Sequence, residues 1–289
     1  MKNIKSLLVS IIVILLLLNA SVVLADPPVG TAPTIDGTIG ADWADSGTMY
    51  PGGTWLLADA TDDSLWGTNN EVYNVYINWD ANNLYMGFDF SLNSNAFLAY
   101  VDFGDAAGIT NFLSTAGYNG AWPRYIDFPS TNGIDFFYGA WDNQTGNIYV
   151  ANGSNNSTDI TGNCGLAKAN QGGNRYHAEL SCPWNELGFS APLYPTGGSD
   201  AIPDINVFTS VMGGDNYGGC DTSPDVTIDT SDNNHISVGV SDFKNLGIGP
   251  NAITLTSFTA ASALPAAIPW LAGIALALGG ALAWRRKRR

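Results

Sequence analysis

The chain has 289 residues, 33 of them Gly, and carries 11 basic against 26 acidic side chains for a net charge of −15. Seven basic residues sit at the two ends, so Arg124, Lys168, Arg175 and Lys244 alone face all 26 acids between them, a balance of −22. Such a surface repels phosphate backbones and excludes nucleic acid as a partner. Two His and three Cys, with no run of zinc-ligand spacing, leave little material for a transition-metal site, and the abundance of Gly with Asn, Ser, Thr and Asp favours strands joined by turns over long helices.

In chain order, Lys2 and Lys5 precede an apolar run over residues 7–18, and Val23-Leu24-Ala25 offers small residues before Asp26. Residues 1–25 therefore read as a secretory signal peptide, too short in its apolar part to span a bilayer. A Pro/Gly/Thr lead-in follows to residue 34. In 72–79, Tyr73, Val75, Ile77 and Trp79 fall on one face by period 2. Asp80-Ala81-Asn82-Asn83 supplies the turn, and Leu84, Met86, Phe88 and Phe90 alternate after it, which predicts a hairpin.

Further strands are expected at 96–103, 124–128, 134–141, 147–151, 165–169, 174–182, 204–212, 235–240 and 252–259. Pro183 to Gly188 reads as one helical turn. Cys164 and Cys182 flank a hairpin turning at Gln171-Gly172-Gly173-Asn174, which brings them close enough for a disulfide in an exported protein and leaves Cys220 free. No internal repeat or interior linker interrupts the pattern. One all-β domain is thus expected over 26–248, an antiparallel β-sandwich, followed by a small-residue stalk at 249–265. Residues 266–284 are uncharged over a bilayer's thickness and run into Arg285-Arg286-Lys287-Arg288-Arg289. A transmembrane helix with a cytoplasmic basic tail at 285–289 is expected, so that the acidic domain faces outward. Leu264-Pro265, Pro269-Trp270, the apolar stretch and the basic tail resemble the tripartite sorting signals of bacterial surface proteins. The sortase Thr-Gly and the exosortase Pro-Glu-Pro are both missing, and a plain membrane anchor stands beside that reading.

Five motifs in order carry a second resemblance: Ile35-Asp36-Gly37 with Asp42-Trp43; Val75-Tyr76-Ile77-Asn78-Trp79-Asp80 through Phe88; Tyr100-Val101-Asp102-Phe103; Glu179-Leu180-Ser181-Cys182-Pro183-Trp184; and Asp204-Ile205-Asn206-Val207-Phe208. Over about residues 33–240 the chain resembles the family 9 carbohydrate-binding modules and their DOMON-like relatives. That resemblance implies a jelly-roll-like sandwich, glycan binding and structural calcium. It does not extend to the family's sugar clamp, because the two places for its Trp residues read Ser91-Leu92-Asn93-Ser94-Asn95 and 225–234, with no aromatic in either. Gly120-Ala121-Trp122-Pro123-Arg124 and Cys220-Asp221-Thr222-Ser223-Pro224-Asp225 look more like variants appended to amylase-type enzymes, which implies α-glucan by association.

Sugars are held by aromatic faces and by planar amides, carboxylates or Arg, so Tyr118, Trp122 and Arg124 are the first candidate platform and Trp66 with Glu71 the second. Packing onto the sandwich is the plain alternative for each. Asp102, Asp105, Asp221 and Asp225 are candidate calcium ligands, without an EF-hand pattern. His177 and His235 accompany no recognisable nucleophile, so no catalytic residue is named. Met86, Met212, His177 and His235 are the available axial ligands for a haem-binding reading. The leading expectation is a non-catalytic, surface-anchored carbohydrate-binding protein whose partner is a polysaccharide or cell-surface glycan. A structural or adhesive surface protein, or a haem-binding electron-transfer module, is the alternative.

Overall fold

A computed structural model describes residues 32–43, 55–104, 108–190 and 204–246. The signal peptide, the stalk, the strand expected at 252–259, the apolar segment 266–284, the basic tail and Asp105 lie outside the described residues. Among the described residues no helix is long and apolar enough to cross a membrane.

The expected hairpin forms from β2 (Glu71–Trp79) and β3 (Asn83–Ser91), with β1 (Trp55–Ala58) on its outer side. Asp80 makes the turn. Its Oδ1 accepts the Asn82 and Asn83 N–H groups at 2.7 Å each, and its Oδ2 accepts the Tyr85 hydroxyl at 2.7 Å. One correction applies to β2: a bulge between Val72 and Asn74 moves Tyr73 off the core face, and Val72 opposite Phe90 takes the buried place. A β-bulge leaves no mark on period-2 spacing until the partner strand is known. The other flank of β3 pairs β10 (Arg175–Pro183), which pairs β9 (Gly165–Gly172), completing a five-stranded antiparallel sheet in the order β1-β2-β3-β10-β9. Cys164, just before β9, is joined by a disulfide to Cys182 of β10, and Cys220 is buried and free.

The second sheet runs β12 (Gly219–Ser223), β11 (Asn206–Met212), β4 (Ala96–Asp102), β6 (Phe136–Trp141), β7 (Asn147–Ala151) and β8 (Ser157–Asp159), with β15 (Lys244–Asn245) also on β11. Its pairings are antiparallel. Between the sheets lies the main core: Val75, Ile77, Met86, Phe88 and Phe90 against Phe97, Ala99, Val101, Phe136 and Tyr138. Phe88 and Tyr138 stack at 5.6 Å, Phe90 and Phe97 at 4.2 Å.

The central strands of the second sheet, β11, β4 and β6, are buried on both faces. Leu98, Tyr100, Phe137, Phe208 and Met212 point away from the sandwich into another apolar layer closed by Ile109, Phe112, Tyr118, Ile126, Phe128, Ile236 and Phe243. These come from the long connection between β4 and β6 and from the segment after β12, which pin a small sheet of β13 (Ile228–Asp229), β14 (His235–Ser237) and β5 (Ile126–Asp127). The β5–β14 pair is parallel. Strands apolar on both sides, such as Ala96-Phe97-Leu98-Ala99-Tyr100-Val101, are what such double burial requires.

On the outer face of the first sheet, residues 32–43 lie as a strap held by one carboxylate. The buried Glu179 accepts N–H groups from Asp36 at 2.8 Å, Gly37 at 2.5 Å and Thr38 at 3.2 Å on Oε2, and the Trp43 Nε1–H at 2.6 Å on Oε1. The Trp43 indole lies flat on Gly87, where an added Cβ would meet it at 3.3 Å. The pairing of the Ile-Asp-Gly and Asp-Trp motifs with the Glu-Leu motif, far apart in sequence, is this contact. The turn Trp184–Leu187 is 3-10, closed by Gly188 in the left-handed region, and the Trp184 Nε1–H donates to the Asp80 carbonyl.

Candidate functional site

At one edge of the sandwich the end of β1, the loop after it and the start of β2 meet β12. The Leu65 N–H donates to the Cys220 carbonyl at 2.8 Å, and the Val72 N–H to Asp221 Oδ2 at 2.5 Å. This brings together Asp59, Asp63 and Glu71 from the first sheet's side with Asp221 and Asp225 from the second's. Asp59, Asp221 and Asp225 place one carboxylate oxygen each within 4.8 Å of one another, as do Asp63, Glu71 and Asp221. A 210 Å³ pocket opens on the cluster, lined by Asp63, Leu65, Cys220, Asp221 and Asp225 among others. Glu71 is 0% exposed; its Oε1 accepts the Asp63 N–H at 3.2 Å, and its Oε2 has no hydrogen-bond partner, nor has Asp59 Oδ2.

Electrostatics follow from the crowding. Burial, then the charges of Asp225 and Asp63, push Asp59 up to about 7. Burial, with Asp59, Glu71 and Asp63 nearby, pushes Asp221 up to about 8. Glu71 is raised by burial and by Asp63, and Asp225 likewise. The charged groups acting on these four are all carboxylates.

Sequence reasoning named Asp221 and Asp225 for calcium and Glu71 for sugar. The structure puts Glu71 beside Asp221 and buries it. Asp59 and Asp63 were missed, although the acidic run Asp59-Ala60-Thr61-Asp62-Asp63 ahead of Glu71 carried the signal. Asp102 belongs to neither cluster. It is buried and its oxygens accept from the Gly104 N–H at 2.8 Å, Asn132 Nδ2 at 2.7 Å and Asn206 Nδ2 at 2.9 Å.

The loop platform of Tyr118, Trp122 and Arg124 is corrected by burial. Tyr118 is packed in the second apolar layer with its hydroxyl on the Ala121 carbonyl at 2.7 Å. Arg124 is 0% exposed, its guanidinium 5.1 Å from the Trp122 ring and 5.4 Å from the Trp141 ring, and its Nη1 pairs with Asp215 at 2.9 Å. Trp122, at φ 58°, turns its ring onto Gly139, where a Cβ would come within 2.6 Å. The group packs rather than presents a face. Trp66 is half-buried against the main core, 6.1 Å from the Tyr217 ring.

The opposite edge of the sandwich carries a pocket of 320 Å³ that sequence reasoning did not name. Asp142, Asn143, Gln144 and Thr145 of the β6–β7 turn face Lys168, Asn170 and Tyr176 of β9 and β10. Lys168 crosses between the sheets: its Nζ donates to the carbonyls of Trp141 at 2.5 Å, Asp142 at 2.9 Å and Gln144 at 2.9 Å, and lies 4.2 Å from the Tyr176 ring centre. Burial lowers its ammonium to about 8. Asn143 and Gln144 are exposed, and among the described residues their side-chain amides make no hydrogen bond.

His235 and Ser237 both contact Asp127, the imidazole on one carboxylate oxygen and the hydroxyl on the other. The haem ligands lie in different layers. Met86 is in the main core and Met212 in the second, where it accepts the Tyr100 hydroxyl; His177 accepts the Ile39 N–H under the strap, and His235 stacks on Tyr125.

No protein-family model matches the chain, and no curated protein matches it in sequence. Among solved structures it is similar to a carbohydrate binding module of family 9 from Caldicellulosiruptor kristjanssonii in complex with glucose, at 14% identity and a TM-score of 0.33 over 65% of this chain and 77% of that one. The same module in complex with cellotriose gives 13% identity and a TM-score of 0.33 over 64% and 75%.

Proposed function

We propose that this is a non-catalytic carbohydrate-binding protein, exported and anchored at the bacterial cell surface by residues 266–284, with the sandwich outside. The observation that carries the reading is the edge pocket. Its carboxylate, side-chain amides, hydroxyls and ammonium surround a space at the small end of the range for ligand sites. Amides that donate and accept, beside a carboxylate that accepts, match vicinal sugar hydroxyls, and the exposed Asn143 and Gln144 have their hydrogen bonding free for a ligand. The adjoining strands and the Lys168 contacts hold the turn rigid, so little ordering opposes binding.

Retention of the full-length chain on immobilised α-glucan and β-glucan tests the proposal. Wild type is retarded, more on α-glucan, and the double variant Asn143→Ala/Gln144→Ala elutes near the void with an unchanged melting temperature. Unretarded wild type on every polysaccharide overturns the reading, and a fully retained double variant removes the pocket from it. For the anchor, protease added to intact cells digests the sandwich and spares the basic tail. Full-length chain recovered from the medium would sink that part.

A further inference from the structure

We propose that Lys168 is the positioning residue of the edge pocket, and that one proton on its Nζ holds the β6–β7 turn in the shape that presents Asn143 and Gln144 to a ligand. The inference rests on the carbohydrate reading of that pocket and adds how its occupancy is regulated. An ammonium has three N–H groups and no acceptor, and here the carbonyls of Trp141, Asp142 and Gln144 take them at 2.5, 2.9 and 2.9 Å. A fourth carbonyl of the turn, that of Thr145, accepts the Tyr138 hydroxyl at 2.7 Å. With these carbonyls turned onto a cation and a hydroxyl, the turn leaves the side chains of Asn143 and Gln144 exposed.

The neutral amine cannot hold the same cage. It keeps two N–H donors and gains a lone pair, so one of the three carbonyls is left facing a lone pair in place of a donor. The two hydrogen bonds that survive lose their charge assistance and weaken. Around Nζ the turn contributes the Asp142 carboxylate, whose Oδ2 accepts the Ser94 N–H at 3.0 Å, while β10 contributes the Tyr176 ring at 4.2 Å and β3 the Phe90 ring at 5.9 Å. Burial works against the proton more than Asp142 favours it, which places the ammonium at about 8. The cage is therefore complete at neutral pH and opens in mild alkali. A turn that has opened must be ordered again by the ligand, and that ordering is subtracted from affinity.

The test measures the affinity of the full-length chain for the polysaccharide that retains it, from pH 6 to pH 10, and compares amide exchange of residues 141–146 between variants at a single pH. Wild type should keep its affinity to about pH 7 and lose about tenfold by pH 10, the scale of one charge-assisted hydrogen bond. Lys168→Met should bind at pH 7 as weakly as wild type does at pH 10, show no pH profile, and exchange faster over 141–146 with the rest of the sandwich unchanged. Asp221→Asn alters the carboxylates that titrate in the same range at the other edge, and should keep the wild-type profile. A flat wild-type profile, a fall in affinity that persists in Lys168→Met, or wild-type exchange over 141–146 in that variant would overturn the proposal. Should Lys168→Met not fold, the wild-type and Asp221→Asn profiles decide. If no polysaccharide retains the chain, the carbohydrate reading fails by itself, and the exchange comparison still tests the role of Lys168.

Discussion

The five acidic side chains at the sandwich edge show how little a residue's type says without its neighbours. Asp102 and Asp221 are both buried aspartates, but Asp102 is met by neutral donors while Asp221 is met by Asp59, Glu71 and Asp63. The consequence is a pH dependence with a defined sign. Asp59 at about 7 and Asp221 at about 8 lie above the roughly 3.9 of an unfolded aspartate, so between those values the native state holds more protons than the unfolded one. Stability should therefore fall as pH rises from 5 to 8, by about 2–5 kcal/mol. Urea midpoints at both pH values check this; a protein equally stable at pH 5 and pH 8 would contradict it. None of this was legible in the sequence, where 26 acids offer many groupings and only folding chooses one.

At the scale of elements, the strap and β10 are coupled through Glu179, which accepts four N–H groups. Glu179→Gln turns one acceptor into a donor facing donors, and the cost should reach at least about 2 kcal/mol. Asp36→Asn at the exposed end of the same strap should stay within about 0.5 kcal/mol. Urea midpoints give the difference, and early proteolysis within 32–43 should accompany the first variant alone. Most strands, the β2–β3 hairpin and the short turn after Pro183 were legible, because alternation and turn residues are local. The strands β1, β8, β12, β13 and β15 were not: they are short, and pairing with a neighbour rather than pattern defines them.

For the whole molecule, two sheets face each other and are held at opposite edges. Carboxylates of both sheets gather where β1 and β2 meet β12, and Lys168 reaches from β9 to the β6–β7 turn. A disulfide closes an 18-residue separation beside the second edge, and reducing it should cost about 2–4 kcal/mol, read as a shift in urea midpoint on adding a phosphine. No shift would mean that the bridge contributes nothing. Charge and end composition alone argued against nucleic acid and pointed to export, and local alternation pointed to the all-β sandwich of the described residues. Tertiary structure decided what the surface offers. It turned Tyr118 and Arg124 inward, because the second sheet has apolar residues on both faces and needs the 108–135 segment as a cover. It also drew Glu71 to Asp221 and Gln144 to Lys168. Such sites join residues far apart in the chain, and their geometry is set by which strands pair, an outcome of global burial that no window of sequence contains.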